Sequence, residues 1–409
     1  MNYIDRALES TFIRLSGQFS ALLLTGPRQA GKTTMLQRLA AQEGNGRGYV
    51  TLDDLQERQL AKSDPAMFFQ IHKPPLLIDE VQYAPELFPY IKIHVDRYQR
   101  PGDFWLTGSQ VFRLMDGVRE SLAGRVALLQ MLPLSQSEIL GRPTVPFFPD
   151  PEILVARSAG RPAADVTEIY QRIFNGGMPA LISGRITDRQ VLYSSYIGSY
   201  IERDVRELSG TIDALRFMTF MTAAAALAGQ LLNYRTLAEA SEIDQTTAKR
   251  WLRILETLGI VFYLHPYSNN LLKRTIKSPK LYFQDTGLVC HLTHWSSPET
   301  LMNGAMSGAL LENHVVSEIV KSYRNVGREP FLYYYRDKDA REIDLVLEEN
   351  GALYPIEIKK TSLPDPRISR VFGVLDRVGK PRGRGAVVCA AEKLGALDRD
   401  TLVVPVDLI

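Results

Sequence analysis

The chain is 409 residues long, with 45% hydrophobic and 23% charged residues and a formal net charge of +2. These values are typical of a globular protein of two to four domains, and so small a net charge favours no class of partner. No apolar stretch reaches the roughly 18 residues of a membrane span, and the first residues form no signal segment. Cys290 and Cys389 match no metal spacing, so we expect two buried thiols in a cytoplasmic protein.

The first predicted elements are a buried strand, a glycine-rich loop and a helix. The apolar run at 21–25 leads into Gly-Pro-Arg-Gln-Ala-Gly-Lys-Thr at 26–33. Glycines let the backbone curl so that its N–H groups point inward, and a helix adds its positive N-terminal end. Lys32 can reach the outer phosphates of a nucleotide, and the Thr33 hydroxyl can bind Mg²⁺. The residues expected to contact ATP are Gly26, Pro27, Arg28, Gln29, Ala30, Gly31, Lys32, Thr33 and Thr34.

Three more strands, at 49–52, 76–80 and 104–109, are predicted to end in polar residues. Apolar runs that alternate with helical patterns predict a parallel α/β sheet, in which ligands gather at the carboxyl ends of the strands. We expect Asp79 to orient the water shell of Mg²⁺ and Glu80 to aim, or take a proton from, the attacking water. The alternative is that this Asp-Glu pair is only a solvated turn.

The strand at 104–109 and the segment after it contain further candidates. Thr107 or Ser109 either senses the γ-phosphate or caps the next helix, and Gln110 is left undecided. Arg125 is a candidate for neutralising charge in the transition state, in this subunit or a neighbouring one, with Arg119 as a weaker competitor. A structural arginine on the surface is the alternative.

The middle of the chain changes from proline-rich to helical. Five prolines at 142–165 favour a linker, and the apolar spacing that follows is helical up to a break at 176–179. These helices are predicted to form a small lid over the nucleotide. Arg203 either touches phosphate from that lid or belongs to an ion-pair set.

Residues 212–287 have the pattern of a winged helix. We predict a long helix at about 214–232, a second at 234–240, and a third at 245–258 that Asp244 caps and Gly259 ends. Wing strands are expected at 260–264 and 281–284. The basic residues between them are Lys273, Arg274, Lys277 and Lys280.

The charge of this segment favours a polyanion. Between Arg235 and Lys280 there are eight Lys/Arg against four Asp/Glu. Thr246, Thr247, Lys249 and Arg250 are the candidates to face a nucleic-acid groove, DNA rather than RNA, while Trp251 and Leu252 are expected in the core. The alternative is a module that only packs against its neighbours.

The last 109 residues are predicted to form a helix from 308 to about 323 and strands at 331–335, 342–347 and 354–359. Glu357 and Lys359 project to the same face because side chains alternate along a strand, and Asp344 on the adjacent strand can meet them. Two carboxylates and a lysine are the components of an Mg²⁺-dependent phosphodiesterase, with Glu312 as an outer carboxylate from the helix. The alternatives are ordinary surface charges or an inert binding module.

Several motifs together resemble an AAA-type ATPase. They are GPRQAGKTT at 26–34, LLIDEVQ at 76–82, LTGSQ at 106–110, SLAGR at 121–125 and LPLSQSEI at 132–139. With GGMP at 176–179 and YIERDV at 200–205, the chain resembles the prokaryotic ATP-binding proteins that join this module to a C-terminal domain of unknown function. The resemblance implies that the last domain is related to the restriction-endonuclease-like fold, whose Asp…Glu-x-Lys pattern Glu312, Asp344, Glu357 and Lys359 match.

We therefore expect an α/β protein that begins with a P-loop NTPase domain. Its expected parts are the ATPase domain at 1–141, a linker at 142–164, a helical lid at 165–211, a winged-helix module at 212–300 and a restriction-endonuclease-like domain at 301–409. The expected function is ATP hydrolysis with Mg²⁺ that controls a nucleic-acid-binding C-terminal half, with Glu80, Lys32, Arg125 and Ser109 as catalytic residues. An ATP-regulated nuclease and a nucleotide-switched scaffold are the alternatives, and a homo-oligomer would bring Arg125 to a neighbouring site.

Overall fold

The structure, a computed structural model, describes residues 3–44, 46–109, 122–159, 164–201, 204–206, 213–268 and 278–409. Six residues singled out by the sequence lie outside this part: Gln110, Arg119, Arg203, Lys273, Arg274 and Lys277. Within the described residues, no helix has both the length and the apolar character needed to cross a membrane. Cys290 and Cys389 are buried free thiols, which confirms the expectation for both.

The N-terminal part contains a parallel sheet of five strands in the order β2-β3-β4-β1-β5. The strands are β1 Ala21–Thr25, β2 Gly48–Thr51, β3 Leu76–Asp79, β4 Phe104–Gly108 and β5 Val126–Gln130. Every residue of β1, β3 and β4 is buried, because helices cover both faces of the sheet. The carboxyl ends of these three adjacent strands therefore share one edge of the sheet.

The described residues of this part form six α-helices. They are α1 Leu8–Ser16, α2 Lys32–Glu43, α3 Leu55–Ser63, α4 Pro65–Ile71, α5 Leu87–Tyr98 and α6 Gln136–Ile139. Helix α2 starts directly after the glycine-rich loop, as the sequence predicts. Asp54 and Asp64 cap α3 and α4 by accepting hydrogen bonds from backbone N–H groups of the first turn.

The expected linker contains a helix, α7 Pro151–Ser158. Asp150 caps it and Pro151 occupies its first turn, where a proline costs no hydrogen bond, so a proline that predicted a loop marks a helix start. The following helices are α8 Val166–Asn175, α9 Pro179–Ile182 and α10 Arg189–Tyr196, which continues as a π-helical turn at Ile197–Ile201.

The described residues of the 214–283 unit form three helices and three strands. In chain order they are α11 Ala214–Ala226, β6 Gln230–Leu231, α12 Tyr234–Ala240, α13 Gln245–Thr257, β7 Val261–Pro266 and β8 Lys280–Phe283. Strand β8 pairs antiparallel with both β6 and β7. The helix expected to reach 232 ends at Ala226, because Gly229 takes a positive φ of 74° and the chain turns into β6.

The C-terminal part is built around a long buried helix and a mixed sheet. Its helices are α14 Thr286–Leu292, α15 Pro298–Met302 and α16 Ser307–Arg324, with 3₁₀ helices at Pro366–Arg377 and Val406–Leu408. Its strands are β9 Leu332–Arg336, β10 Glu342–Glu349, β11 Ala352–Lys359, β12 Gly385–Cys389, β13 Gly395–Asp398 and β14 Thr401–Pro405.

One nine-stranded sheet joins the two C-terminal units, in the order β13-β14-β12-β11-β10-β9-β7-β8-β6. The junction is the parallel pairing of β7 with β9, in which His265 lies opposite Tyr333 and Pro266 opposite Tyr334. A single hydrophobic cluster extends from Phe147 to Leu408 across both units. The sheet and the core are therefore continuous across the boundary expected at 300/301.

Candidate functional site

The glycine-rich loop links the end of β1 to the start of α2. Gly26 has a φ of 139° and Gly31 a φ of 94°, a region that side chains rarely adopt. A Cβ at Gly26 would lie 2.0 Å from the carbonyl oxygen of Met131, so only glycine fits there. The loop thus has the curled backbone that the sequence predicts for a phosphate cradle.

Lys32 lies inside this loop. Its side chain is buried, and Nζ donates hydrogen bonds to the carbonyl oxygens of Gly26 at 2.9 Å and Pro27 at 3.0 Å. Burial lowers the pKa of Lys32, because removing the ammonium from water disfavours its charge. An incoming phosphate would offer this ammonium a stronger, charged acceptor than two carbonyl groups.

Thr33 and Asp79 meet at the carboxyl edge of the sheet. Thr33 Oγ1 donates to Asp79 Oδ1 at 2.8 Å, and the Thr107 hydroxyl donates to the same carboxylate. Burial raises the pKa of Asp79, while the hydrogen bonds from Thr107 and Thr33 act in the opposite direction.

This oxygen pair fits Mg²⁺ in a phosphate-dependent site. No group of three or more His, Cys, Asp or Glu in the described residues is arranged to hold a metal ion. Mg²⁺ in nucleotide sites commonly uses one or two protein oxygens and completes its shell with phosphates and water. Thr33 and Asp79 would hold the ion here, and it would neutralise negative charge on the phosphates of a bound nucleotide.

Glu80 follows Asp79 in a left-handed backbone conformation with a φ of 56°. Its N–H donates to Thr107 Oγ1 at 3.2 Å, and its carboxylate accepts from Gln82 Nε2 and, at 3.4 Å, from the Ser109 hydroxyl. The predicted candidates Glu80, Thr107 and Ser109 therefore form one connected group. Gln82 is an additional member that spacing alone did not single out.

Arg28 contributes a guanidinium to the same group. Its Nε and Nη2 donate to the two carboxylate oxygens of Asp204 at 2.8 and 3.0 Å. Its Nη1 lies 3.9 Å from Glu80 Oε1, and Nη2 lies 3.4 Å from the Tyr83 hydroxyl. The sequence placed Arg28 in the loop and Asp204 in the YIERDV motif, but it did not predict that the two meet, nor that Tyr83 joins them.

Arg125 is not part of this group within the chain. It forms an ion pair with Asp96 of α5, and both side chains are partly exposed. The structure therefore leaves Arg125 on the surface, whereas Lys32, Thr33, Asp79, Glu80 and Ser109 are gathered together.

A cleft of about 470 Å³ lies beside the loop. It is lined by the N-terminal segment at Tyr3, by Gln29 and Thr34 of the loop and α2, and by Pro179 of the expected lid. The buried Gln29 Oε1 has no hydrogen-bond partner among the described residues. Gln29 thus lies at the wall of this cleft next to the phosphate cradle.

The second predicted group lies on β10 and β11. Lys359 Nζ lies 2.6 Å from Glu357 Oε2 and 3.1 Å from Asp344 Oδ2. Burial, then the nearby Asp344 charge, raise the pKa of Glu357 to about 8. The structure thus brings Asp344, Glu357 and Lys359 together, as side-chain alternation predicts.

Glu312 is engaged by β8. It accepts hydrogen bonds from Lys280 Nζ at 3.0 Å and from the Tyr282 hydroxyl at 2.6 Å. Lys280 also lies 2.7 Å from Glu342 and is only 4% exposed. The expectation of a wing lysine facing a polyanion is wrong for Lys280, because two carboxylates from α16 and β10 hold it in the interior.

The third helix of the 214–283 unit presents a basic face. Thr246, Lys249, Arg250 and Arg253 of α13 are exposed. Trp251 and Leu252 are buried, which confirms their expected place in the core. Of the candidate groove-facing residues, Thr246, Lys249 and Arg250 are therefore accessible to a partner, whereas Thr247 is half-buried and its hydroxyl donates to Asp244 at 2.6 Å.

The end of α13 reaches the phosphate loop. A Cβ on Gly259 would lie 3.2 Å from Pro27 Cδ. Glu318 of α16 accepts a hydrogen bond from the Gln136 N–H at 2.7 Å, and Arg324 donates to the Gln130 side chain. The N-terminal part is thus in direct contact with both C-terminal units.

Family models match three consecutive parts of the chain. They are an AAA domain at residues 18–140, a domain of unknown function (DUF8612) at residues 166–299 and a domain of unknown function (DUF4143) at residues 307–409. The uncharacterized protein Rv2008c of Mycobacterium tuberculosis is 32% identical over 389 residues, which cover 95% of this chain and 80% of that protein. The uncharacterized protein Mb2031c of Mycobacterium bovis is similar to the same extent.

Solved structures show weaker similarity. The Walker-type ATPase PABY2304 of Pyrococcus abyssi is 14% identical with a TM-score of 0.42, covering 71% of this chain and 96% of that one. AMPPCP-bound DnaA from Aquifex aeolicus is 16% identical with a TM-score of 0.30, covering 61% of this chain and 85% of that one. These scores are too low for a shared overall fold to be inferred from them.

Proposed function

Since the chain belongs to the same family as these mycobacterial proteins and carries an AAA domain followed by a C-terminal domain of unknown function, we propose that it hydrolyses ATP with Mg²⁺. The observation that carries this proposal is the group formed by Lys32, Thr33, Asp79 and Glu80 at one edge of the parallel sheet.

Each residue of this group has a separate task in the proposed reaction. Lys32 binds the outer phosphates once it leaves the carbonyl groups of the loop. Thr33 and Asp79 hold Mg²⁺. Glu80, which Ser109 and Gln82 orient, aims the attacking water at the γ-phosphate and accepts its proton.

The adjacent cleft is proposed to hold the nucleoside. Its wall from 179–185 belongs to the helices that follow the Gly-Gly-Met-Pro break, so these helices would act as the lid. The lid and the loop are already connected by the ion pair between Arg28 and Asp204.

We also propose that the 214–283 unit is a winged helix that binds DNA. In the part of this unit that the structure describes, the elements follow the order helix, strand, helix, helix, strand, strand, and α13 would be the groove-facing helix. The contact between Gly259 and Pro27 joins that helix directly to the phosphate loop. ATP occupancy would thus be communicated to the DNA-binding surface.

The experiment is an ATPase assay with and without a DNA duplex, supported by calorimetric titration with Mg²⁺ and ATP. We expect binding, turnover and stimulation by DNA. Lys32→Ala removes nucleotide binding because the loop loses its phosphate-binding cation, whereas the exposed Lys62→Ala does not. A wild-type protein that gives no heat with Mg²⁺ and ATP would contradict the proposal.

The proposed DNA binding is tested with the double variant Lys249→Ala/Arg250→Ala. We expect it to keep basal ATPase activity and to lose the stimulation and the salt-dependent DNA binding, while the equally exposed Arg367→Ala keeps both. DNA stimulation that survives in the double variant would show that α13 is not the contact helix.

A second candidate function is metal-dependent cleavage of DNA, which the convergence of Asp344, Glu357 and Lys359 favours. The wild-type and variant proteins, incubated with duplex DNA, also test this candidate function. Cleavage that needs Mg²⁺, persists in Lys32→Ala and disappears in Asp344→Ala would establish a nuclease, and intact DNA throughout would leave these strands a structural or binding role.

A further inference from the structure

Arg28 lies where a charge-neutralising group is needed. Its side chain is only 10% exposed, and its guanidinium lies 3.9 Å from the Glu80 carboxylate. Because Glu80 is the group proposed to hold the attacking water, an arginine at this distance lies next to the path of that water and hence next to the γ-phosphate.

Two cations occupy this small region. Arg28 lies two residues after Gly26 and four residues before Lys32, so both cations belong to the same curled loop. Cations that repel each other across a curled loop form a suitable place for a polyanion. The Asp204 and Glu80 carboxylates provide the negative charge here.

Asp204 holds the guanidinium in a defined orientation. It accepts two hydrogen bonds from Arg28. This planar two-point geometry fixes the guanidinium so that its Nη1 faces Glu80. The side chain of Asp204 is only 3% exposed, so water screens this ion pair weakly.

We propose that Arg28 is a catalytic residue that binds γ-phosphate oxygens within the same chain, and that Asp204 is the residue that positions it. This inference rests on the proposed ATPase function. Arg28 takes no proton and breaks no bond: water attacks the γ-phosphorus, the bond to ADP breaks, and Arg28 neutralises charge on the phosphate oxygens.

The proposal separates Arg28 from Arg125. Arg125 is held by Asp96 on the surface and would act only on a neighbouring subunit. If Arg28 supplies the guanidinium, turnover per subunit does not depend on protein concentration, whereas an arginine from a neighbour makes it rise as subunits assemble.

The test compares Arg28→Gln, Arg28→Lys, Asp204→Asn and Arg125→Gln with the wild-type protein. Fluorescent ATP and ADP analogues measure binding, steady-state assays measure kcat and KM, and ADP with aluminium fluoride measures affinity for a transition-state mimic. The exposed Arg97→Gln on α5 serves as a matched control.

We expect Arg28→Gln to lower kcat by roughly 10²- to 10³-fold and to weaken the aluminium fluoride complex. Its ADP affinity stays within about threefold, because ADP lacks the γ-phosphate. Relative to Arg28→Gln, Arg28→Lys recovers part of kcat, since lysine keeps the positive charge but lacks the planar guanidinium. Asp204→Asn lowers kcat less than Arg28→Gln does.

Three outcomes would overturn the proposal: wild-type kcat in Arg28→Gln, an equal loss of ATP, ADP and aluminium fluoride binding, or a loss of kcat in Arg125→Gln alone. The equal loss would make Arg28 a structural part of the loop. A wild-type protein without ATP turnover is a separate result that refutes the proposed function itself.

Discussion

Glu80 is held in an unusual backbone conformation by hydrogen bonds with its neighbours. Its positive φ is unusual for a residue with a side chain and costs on the order of 1 kcal/mol. Bonds to Thr107, Gln82 and Ser109 hold it in this conformation. A strained acidic residue directly after a buried strand is thus fixed at the edge where the phosphate loop lies.

We expect Glu80→Gln to bind ATP within a few fold of the wild-type affinity and to lower kcat at least about 100-fold, because an amide cannot accept the proton of water. Paired titrations and single-turnover assays measure this, with the exposed Glu86→Gln as control. Unchanged turnover would remove Glu80 from the mechanism.

Residues that act through neighbours in the sequence were predictable, whereas those that depend on distant partners were not. The loop at 26–33 and the meeting of Thr33 with Asp79 follow from a strand-loop-helix pattern and a parallel sheet. Asp204 lies 176 residues from Arg28, and no local pattern predicts their ion pair. The burial of Lys280, which was expected only as one of the basic residues between the wing strands, was not predictable either, because its two carboxylate partners come from other elements.

At the scale of elements, the end of α13 lies against the nucleotide loop. Gly259, with a φ of 70°, ends the helix and lies against Pro27. The helix itself was predictable from its N-cap and apolar stripe. Its contact with the loop was not, because it depends on how the units pack.

We expect Gly259→Ala to weaken ATP binding by about 3- to 30-fold, because the new methyl group presses on Pro27 and shifts the loop. Gly141→Ala is the matched control, since Gly141 also follows a helix with a φ of 62° but has no atom within 4 Å of its added Cβ. Fluorescent nucleotide titrations measure both. Equal affinities in the two variants would show that α13 does not press on the loop.

At the scale of the whole molecule, the N-terminal part, the helices after it and the C-terminal part meet at a cavity of about 50 Å³. It is lined by Gln136 of the ATPase part, Arg172 of α8, His314 of α16 and Asp407 near the end of the chain. Burial lowers the pKa of His314 to about 4, with Lys321 and Arg172 acting in the same direction and Glu318 opposing them.

His314 makes the stability of the folded chain sensitive to acid. The unfolded chain takes up a proton at this side chain near pH 6.5, whereas the folded chain resists it until about pH 4. Stability is therefore full above pH 6.5 and falls as pH decreases towards 4, by about 1.4 kcal/mol at pH 5.5.

We expect His314→Gln to remove this part of the pH dependence, because the amide stays neutral. Urea unfolding at pH 5.5 and 7.5 measures it, and the comparison at pH 7.5, where both side chains are neutral, corrects for changed packing. An identical pH dependence in the two proteins would show that this histidine does not titrate on unfolding.

The pairing of β7 with β9 has a practical consequence for dissecting the chain. A fragment cut at residue 300 would leave one long side of β9 without its neighbour, and the complementary fragment would leave β7 open in the same way. Exposed strand edges pair with strands of other molecules. Each fragment is therefore expected to self-associate into an oligomer that the intact protein does not form through these edges. Assays of the C-terminal units are therefore best made by point substitution in the intact polypeptide.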